Sequence, residues 1–146
     1  MSSEGTSSRS DRIHICATKH DVYKQLTEGE SSPFKTMKDL FLAAAAIGVS
    51  KGDRRPLEKK VTGGIFAWSV FTAQEDVPLL HALVISLGEP LEVLLDQRKT
   101  LDILEEYANG GISDLANDLL PAVNRPLVLA NKTLSESYME ATTPNE

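Results

Sequence analysis

Residues Phe34 to Ile47 constrain the chain more than any other stretch. They read Phe34-Lys-Thr-Met-Lys-Asp-Leu-Phe-Leu-Ala-Ala-Ala-Ala-Ile47, with four consecutive alanines and neither proline nor glycine. Alanine is the best helix former, and leucine and methionine follow it closely. Phe34, Met37, Phe41, Ala44 and Gly48 recur at three- and four-residue steps, which is one face of a helix, and Leu40 and Ile47 widen that face. The small side chains of Ala43 to Ala46 allow a second helix to come close. Ser32-Pro33 reads as the start, because serine caps free amides and proline at the first helical position lacks only an N–H that would be orphaned anyway. Gly48 reads as the C-terminal stop. The expectation is a central buried helix that ends at Gly48 and delivers the chain into a polar segment.

The rest of the chain supplies partners for that helix. Its 146 residues are one domain's worth, long enough for a core without disulfides or metal. Aromatics are only 5%, so the core must come from Leu, Ala, Val and Ile, which suits packed helices. Residues 1–11 hold five serines and nothing apolar after Met1, and read as a disordered tail. Ile13, Ile15 and Ala17 alternate with His14 and Cys16 as on a short strand. Ile65 to Phe71 has strand composition and both sides largely apolar, so it should be well buried, with Trp68 in the core. Asp21 to Leu26 can form a short helix. A longer one is expected from Glu75 or Asp76 to Leu87, burying Val77, Leu80, Leu83, Val84 and Leu87 and ending at Gly88. Leu91, Leu94 and Leu95 mark another short helix. Leu101, Leu104 and Tyr107-Ala108 mark one that stops at Asn109-Gly110-Gly111, and Leu115 and Leu119 mark a last one stopped by Pro121. Arg125 to Leu134 reads as a docked extension. The fold class is therefore mainly α: a compact single-domain helical bundle of five or six helices over residues 12–134, to which the two strand-like stretches can add a small two-stranded β element. Residues 135–146 read as a frayed tail.

Charge and cysteine content narrow the function classes. The net charge is −6 and the pI about 5.1, against the basic balance of a nucleic-acid coat or a membrane-surface protein. The acids are concentrated late: Glu89 to the end holds eleven acids and four bases. A lone cysteine, Cys16, cannot form an internal disulfide and suits a reducing compartment. Serine, glycine, glutamate and arginine follow Met1, so no signal peptide is expected. The longest apolar run, Leu40 to Val49, is too short to span a bilayer.

The candidate site is the segment that leaves the central helix. Lys51, Arg54, Arg55, Lys59 and Lys60 fall within ten residues, with only Asp53 and Glu58 opposing them, and Pro56 forbids a regular helix through them. Such a loop can contact phosphates, or pair with an acidic protein surface or with the chain's own acidic C-terminal half. Glu58-Lys59-Lys60 has the Glu-x-Lys spacing of a metal-dependent nuclease class, with Asp39 or Asp53 as the upstream carboxylate. His14, Cys16 and His20 are metal-capable, but the paired spacing of a zinc site is absent. No Gly-rich phosphate loop or nucleophile elbow occurs. Glu92 with Asp96, and Glu105-Glu106, read as solvated helix surface.

Five segments together resemble a known family. They are Phe34 to Gly48, Arg54-Arg-Pro-Leu57, Trp68-Ser-Val-Phe71, Glu75-Asp-Val-Pro-Leu-Leu-His-Ala-Leu83, and Leu104-Glu-Glu-Tyr-Ala-Asn-Gly-Gly-Ile112. In this order they resemble the small proteins called dnd system-associated protein 4, which accompany bacterial gene clusters for DNA phosphorothioation and other anti-phage defence. The resemblance covers roughly Ile13 to Leu120 and implies a bacterial cytoplasm beside DNA-modifying or DNA-restricting machinery. It brings no activity to place on named residues. The reading that results is a non-enzymatic accessory or adaptor subunit that binds a larger protein of a defence complex, with no cofactor, metal or membrane. The alternatives are a DNA-binding accessory factor using Lys51, Arg54, Arg55, Lys59 and Lys60, and, more remotely, a metal-dependent nuclease. The oligomeric state is left open.

Overall fold

The computed structural model describes residues 11–30, 32–121 and 125–132. The two tails expected from the sequence lie outside these, apart from Asp11. That residue is tied down: its carbonyl accepts the Trp68 N–H at 2.7 Å and its carboxylate accepts from the Gln97 amide.

The chain begins with β1 (Arg12–Ile13) and continues through a 3₁₀ turn (Ala17–Lys19) into α1 (His20–Thr27), then α2 (Met37–Lys51). After a long irregular segment come β2 (Phe66–Ala67), a 3₁₀ turn (Trp68–Val70), and α3 (Asp76–Ser86). A further 3₁₀ turn (Leu91–Leu95) leads to α4 (Gln97–Leu119), and residues 125–132 are again helical. β1 and β2 pair antiparallel, Arg12 opposite Ala67 and Ile13 opposite Phe66. The fold is thus a mainly α domain with a small two-stranded β element, as its sequence pattern implies. A single core joins Ile13, Tyr23, Leu26, Phe41, Leu80, Leu104, Ile112 and Leu119, so every helix from α1 to α4 contributes to it.

α2 is the central rod, with Leu40, Phe41, Ala44, Ala45 and Gly48 buried, but its ends are displaced from the expected ones. It starts at Met37, not Pro33. Thr36 is the cap and accepts the Asp39 N–H at 3.1 Å, while Phe34 N–H is spent on Leu26 carbonyl, which holds Pro33-Phe34 out of the helix. It also runs past Gly48. Gly52 takes the left-handed conformation (φ 65°) at the true end, and the Gly52 and Asp53 N–H groups return to Val49 and Gly48 carbonyls, a Schellman closure.

Gly48 and the Gly110-Gly111 pair serve packing and not termination. α4 is one continuous helix of 23 residues where two were expected. A Cβ on Gly48 would overlap the Tyr107 carbonyl, one on Gly111 the Ala44 carbonyl, and one on Gly110 the Asp53 carbonyl. Two glycines inside a helix cost it roughly 2 kcal/mol of intrinsic propensity. Here that loss is offset because α2 and α4 meet backbone to backbone. The other departures are local. The second strand ends at Ala67, and Ser69 and Val70 turn outward on the 3₁₀ turn; Phe66 and Phe71 remain buried, and Trp68 is half-buried against them. On α3, Leu80 and Val84 are buried as expected, while Val77, Leu83 and Leu87 are half-buried.

Gly111→Ala should lower the free energy of unfolding by about 3 kcal/mol, because the crowding atom is a backbone carbonyl that cannot swing aside. Gly52→Ala, with open space around it and only its left-handed backbone to strain, should cost about 1 kcal/mol. Urea unfolding of the two variants checks the order; equal losses would mean that α2 and α4 do not touch at Gly111.

Candidate functional site

The segment that leaves α2 does not project into solvent. Residues 53–56 are laid across α4. Arg55 N–H bonds the Glu106 carbonyl at 3.0 Å, and the Asn109 side-chain amide donates to the Arg55 and Pro56 carbonyls at 3.2 Å each. Gly110 leaves room for the Asp53 carbonyl. Residues 59–65 then run along the N-terminal strand: Ala17 N–H reaches Lys59 carbonyl, Val61 N–H reaches Ile15 carbonyl, and Cys16 bridges Lys60. The expected basic loop is therefore half clamp and half ribbon.

Its cations divide into two sets. Arg54 pairs with Glu106 at 2.6 Å, with its guanidinium carbon 5.7 Å from the centre of the Tyr107 ring. Arg55 grips Asp53 through two nitrogens at 3.0 Å and reaches Ser113 at 3.3 Å. Lys51 pairs with Asp114 at 3.0 Å, an acid also held by Lys132. Lys59 and Lys60 are exposed and form no ion pair among the described residues. The structure thus gathers three of the five candidates, Lys51, Arg54 and Arg55, onto one surface with Glu106 and Asp114 of α4 among them, a mixed patch and not a uniformly positive one.

Under this surface lies a charged group that the sequence reading placed in solvent. Glu105 is only 2% exposed. Its carboxylate accepts from Arg98 at 2.7 Å and from the His14 backbone N–H at 2.6 Å, fastening β1 to α4. Burial raises its pKa, and the Arg98 charge opposes that rise without cancelling it. His14 Nδ1 stands 3.6 Å from the same carboxylate, but burial together with Arg98, Lys60 and Arg12 lowers the imidazole pKa and favours the neutral ring. Tyr23 hydroxyl is buried nearby and has no hydrogen-bond partner among the described residues, and its ionisation is suppressed by burial and by Glu105. A cleft of about 250 Å³ between Leu57, Lys60, Asp102, Glu105 and Glu106 opens beside these groups. Residue spacing does carry the signal that was missed: 101, 105, 108 and 112 share one helical face, and three of them are Leu, Ala and Ile.

The remaining chemistry-bearing residues do not converge. Asp39 sits in the first turn of α2 and Asp53 beyond its last, which a helix of this length separates by about 22 Å. Asp53 is occupied by Arg55. Cys16 is turned to Thr18 at 3.2 Å and His14 toward Glu105. Among the described residues no three His, Cys, Asp or Glu side chains are placed to hold a metal ion. Nor is any described helix long and apolar enough to cross a membrane.

Residues 12–145 match the family described as DNA sulphur modification system-associated protein 4. The chain belongs to that family. No curated protein and no solved structure matches it. Three of the five segments that carry the likeness to the dnd-associated family build the clamp: the rod of α2, the Arg54-Arg-Pro-Leu57 strap, and Leu104 to Ile112 of α4, which supplies the buried acid, the Asn109 hooks and the close-contact glycines; the other two, Trp68 to Phe71 and Glu75 to Leu83, lie outside it.

Glu105→Ala in this dnd-associated protein should cost about 3 kcal/mol in chemical unfolding, because it leaves the buried His14 N–H without its acceptor and removes one of the acceptors of Arg98, which keeps Asp102 and the Arg12 carbonyl. Glu105→Gln, which still accepts from both, should cost clearly less. A native carboxyl with a raised pKa holds its proton more tightly than the unfolded chain does. Its contribution is therefore fully present below the unfolded pKa and is lost as pH rises through the folded one, a slope that Glu105→Gln should flatten.

Proposed function

We propose that this protein is a non-enzymatic accessory subunit of a bacterial DNA sulphur modification (phosphorothioation) defence system. It works in the cytoplasm by binding a larger protein component of that system. Membership of the dnd-associated family over residues 12–145 carries the reading. The clamp supports it. A catalytic acid or base must trade protons with a substrate, whereas Glu105 is committed to Arg98 and the His14 N–H, Asp53 and Glu106 are matched to the arginines of the strap, and Asp114 is matched to Lys51 at the end of α2 and to Lys132. These groups hold the fold together and leave the surface to do the work. When a tagged copy is co-expressed with the genes beside its own, a larger component of the system should co-elute with it at fixed stoichiometry. Elution alone in the presence of every neighbour would end the proposal.

Direct DNA contact through residues 51–60 is the second reading, and Lys59 and Lys60 are the observation that favours it. Both are exposed with no ion pair among the described residues, whereas Lys51, Arg54 and Arg55 already have acid partners. Exposed ion pairs are worth at most about 1 kcal/mol, so a phosphate could compete for the paired cations, but the two lysines would bind first. Any gel shift at low salt should then fall with a log–log salt slope of about −2 and not about −5, at about −0.9 per phosphate. Lys59→Glu with Lys60→Glu should abolish it, and Arg54→Glu with Arg55→Glu should weaken it less. A wild-type protein that shifts no duplex at low salt would remove this reading.

A further inference from the structure

From residue 61 to residue 97 the chain contains no lysine or arginine, but five acids: Glu75, Asp76, Glu89, Glu92 and Asp96. Asp76 is neutralised by Lys38 at 2.8 Å, while Glu75, Glu92 and Asp96 form no ion pair among the described residues. The same span holds the most exposed large apolar side chains of the described residues, Leu95 at 88% and Leu91 at 64%, with Ile85, Val70 and Leu79 at nearly half.

α3 explains part of this. Its sequence, Asp-Val-Pro-Leu-Leu-His-Ala-Leu-Val-Ile-Ser, is apolar around the whole helix, a composition that ordinarily means burial on all sides. Leu80 and Val84 face the core, yet the flank through Val77 and His81 borders an open groove of about 250 Å³. Leu94 and Leu95 line its other side, together with Trp68. Ile85 follows His81 by one helical turn. Leu91 precedes Leu94 by three residues, which eclipse in a 3₁₀ turn. Both walls therefore continue as leucine and isoleucine toward the Gly88 bend, with Glu92 and Asp96 beside the exposed leucines.

We propose that this groove receives an apolar, helix-forming segment flanked by lysine or arginine from a protein partner. The proposal rests on the accessory-subunit reading for the existence of that partner. Charge decides among occupants. A second copy docking the same patch on itself would set Glu92 and Asp96 against their own equivalents, a like-charge contact that disfavours the pairing. An anionic bilayer attracts amphipathic surfaces through lysine and arginine, of which this span has none. The chain's own residues 133–146 carry three acids and no base, and residues 1–10 offer only Met1 as an apolar group. A helix laying leucine-type anchors into the groove while its basic flanks meet Glu75, Glu92 and Asp96 satisfies both the apolar walls and the acidic rim.

Trp68 is the only tryptophan and lines the groove, so its emission reports occupancy. The full-length chain is titrated with a Leu/Lys amphipathic helical peptide and with a matched Leu/Glu peptide. The Leu/Lys peptide should give a saturable change in Trp68 emission that weakens with added salt. Leu91→Ser with Leu95→Ser, which leaves every charge in place, should weaken binding at least tenfold. A Leu/Glu peptide that binds as well, a serine variant that binds unchanged, or no saturable change with the Leu/Lys peptide would each overturn the proposal. Co-elution separates it from the accessory role. If the wild-type chain brings down a neighbour and the serine variant does so equally, the groove is not the docking site and the accessory role stands. If wild-type protein brings down none, the accessory role falls and the peptide titration alone decides the groove.

Discussion

Everything in this fold depends on α2 and α4 touching through their backbones. Gly48 and Gly111 remove the side chains that would hold the rods apart, and Ala44 completes the contact surface. Helices normally pack with interaxial spacings of 8–10 Å set by the side chains between them. Deleting those side chains at the crossing brings the backbones together. It also places the C-terminal end of α2 directly over α4, which fixes where the chain must go next. Gly110 accommodates Asp53, Asn109 hooks the Arg55 and Pro56 carbonyls, and the strap is seated before any of its charges is considered. The ion pairs of Arg54, Arg55 and Lys51 are then consequences of that seating. As exposed pairs each adds little stability, but together they fix which cations remain open to solvent.

The elements were legible wherever periodicity alone decides. The alanine-rich rod, α1, α3 and the paired strands follow from spacing, although Thr36 and Gly52 bound the rod and not Ser32-Pro33 and Gly48. The errors come from glycine. A glycine after an apolar run has two physical uses, as the left-handed residue that ends a helix or as the gap that admits a neighbour, and sequence spacing does not distinguish them. Gly52 and Gly88 do the first, with φ of 65° and 79°; Gly48, Gly110 and Gly111 do the second. Treating Gly48 as a stop shortened α2, and treating Gly110-Gly111 as a stop cut α4 in two. Charge was the other source of error. Glu105 looked solvated because its neighbour Glu106 is, although one helical step carries 105 onto the leucine face. The five basic residues were legible as a cluster, but their pairing was not. The acids that engage Lys51 and Arg54 lie more than fifty residues away, on a helix the sequence reading had divided.

Burying Glu105 is costly and shows what the clamp is for. Desolvating a carboxylate costs several kcal/mol even when it is paired, and an apolar replacement of similar size is often no less stable. An ion pair nonetheless provides something leucine cannot. It accepts the His14 N–H and, through Arg98, holds the Arg12 carbonyl, so it specifies where β1 crosses α4. β1 in turn sets β2, the Trp68 turn follows β2 directly, and Asp11 fastens that turn to Gln97 at the head of α4. A buried charge near the middle of α4 thus positions an aromatic side chain at the wall of a distant groove.

That linkage makes the two surfaces interdependent. The strap and the groove share no side chains, and the charges near them that form no ion pair among the described residues are opposite: lysine at Lys59 and Lys60, carboxylate at Glu75, Glu92 and Asp96. Both are nevertheless registered to α4, the strap through Asn109 and Gly110 and the groove through Gln97 and Thr100. About a dozen residues of one unbroken helix, near 18 Å at 1.5 Å per residue, therefore separate the seat of the strap from the rim of the groove, while Lys60 stands nearer to that rim, beside Asp102 and Glu105. A continuous helix keeps that distance constant, whereas two helices broken at Asn109-Gly110-Gly111 would have let it vary. A strap seat and a groove wall carried on one rod keep a fixed relative orientation, and the close contacts that α4 makes with Asp53 and Ala44 through Gly110 and Gly111 secure it.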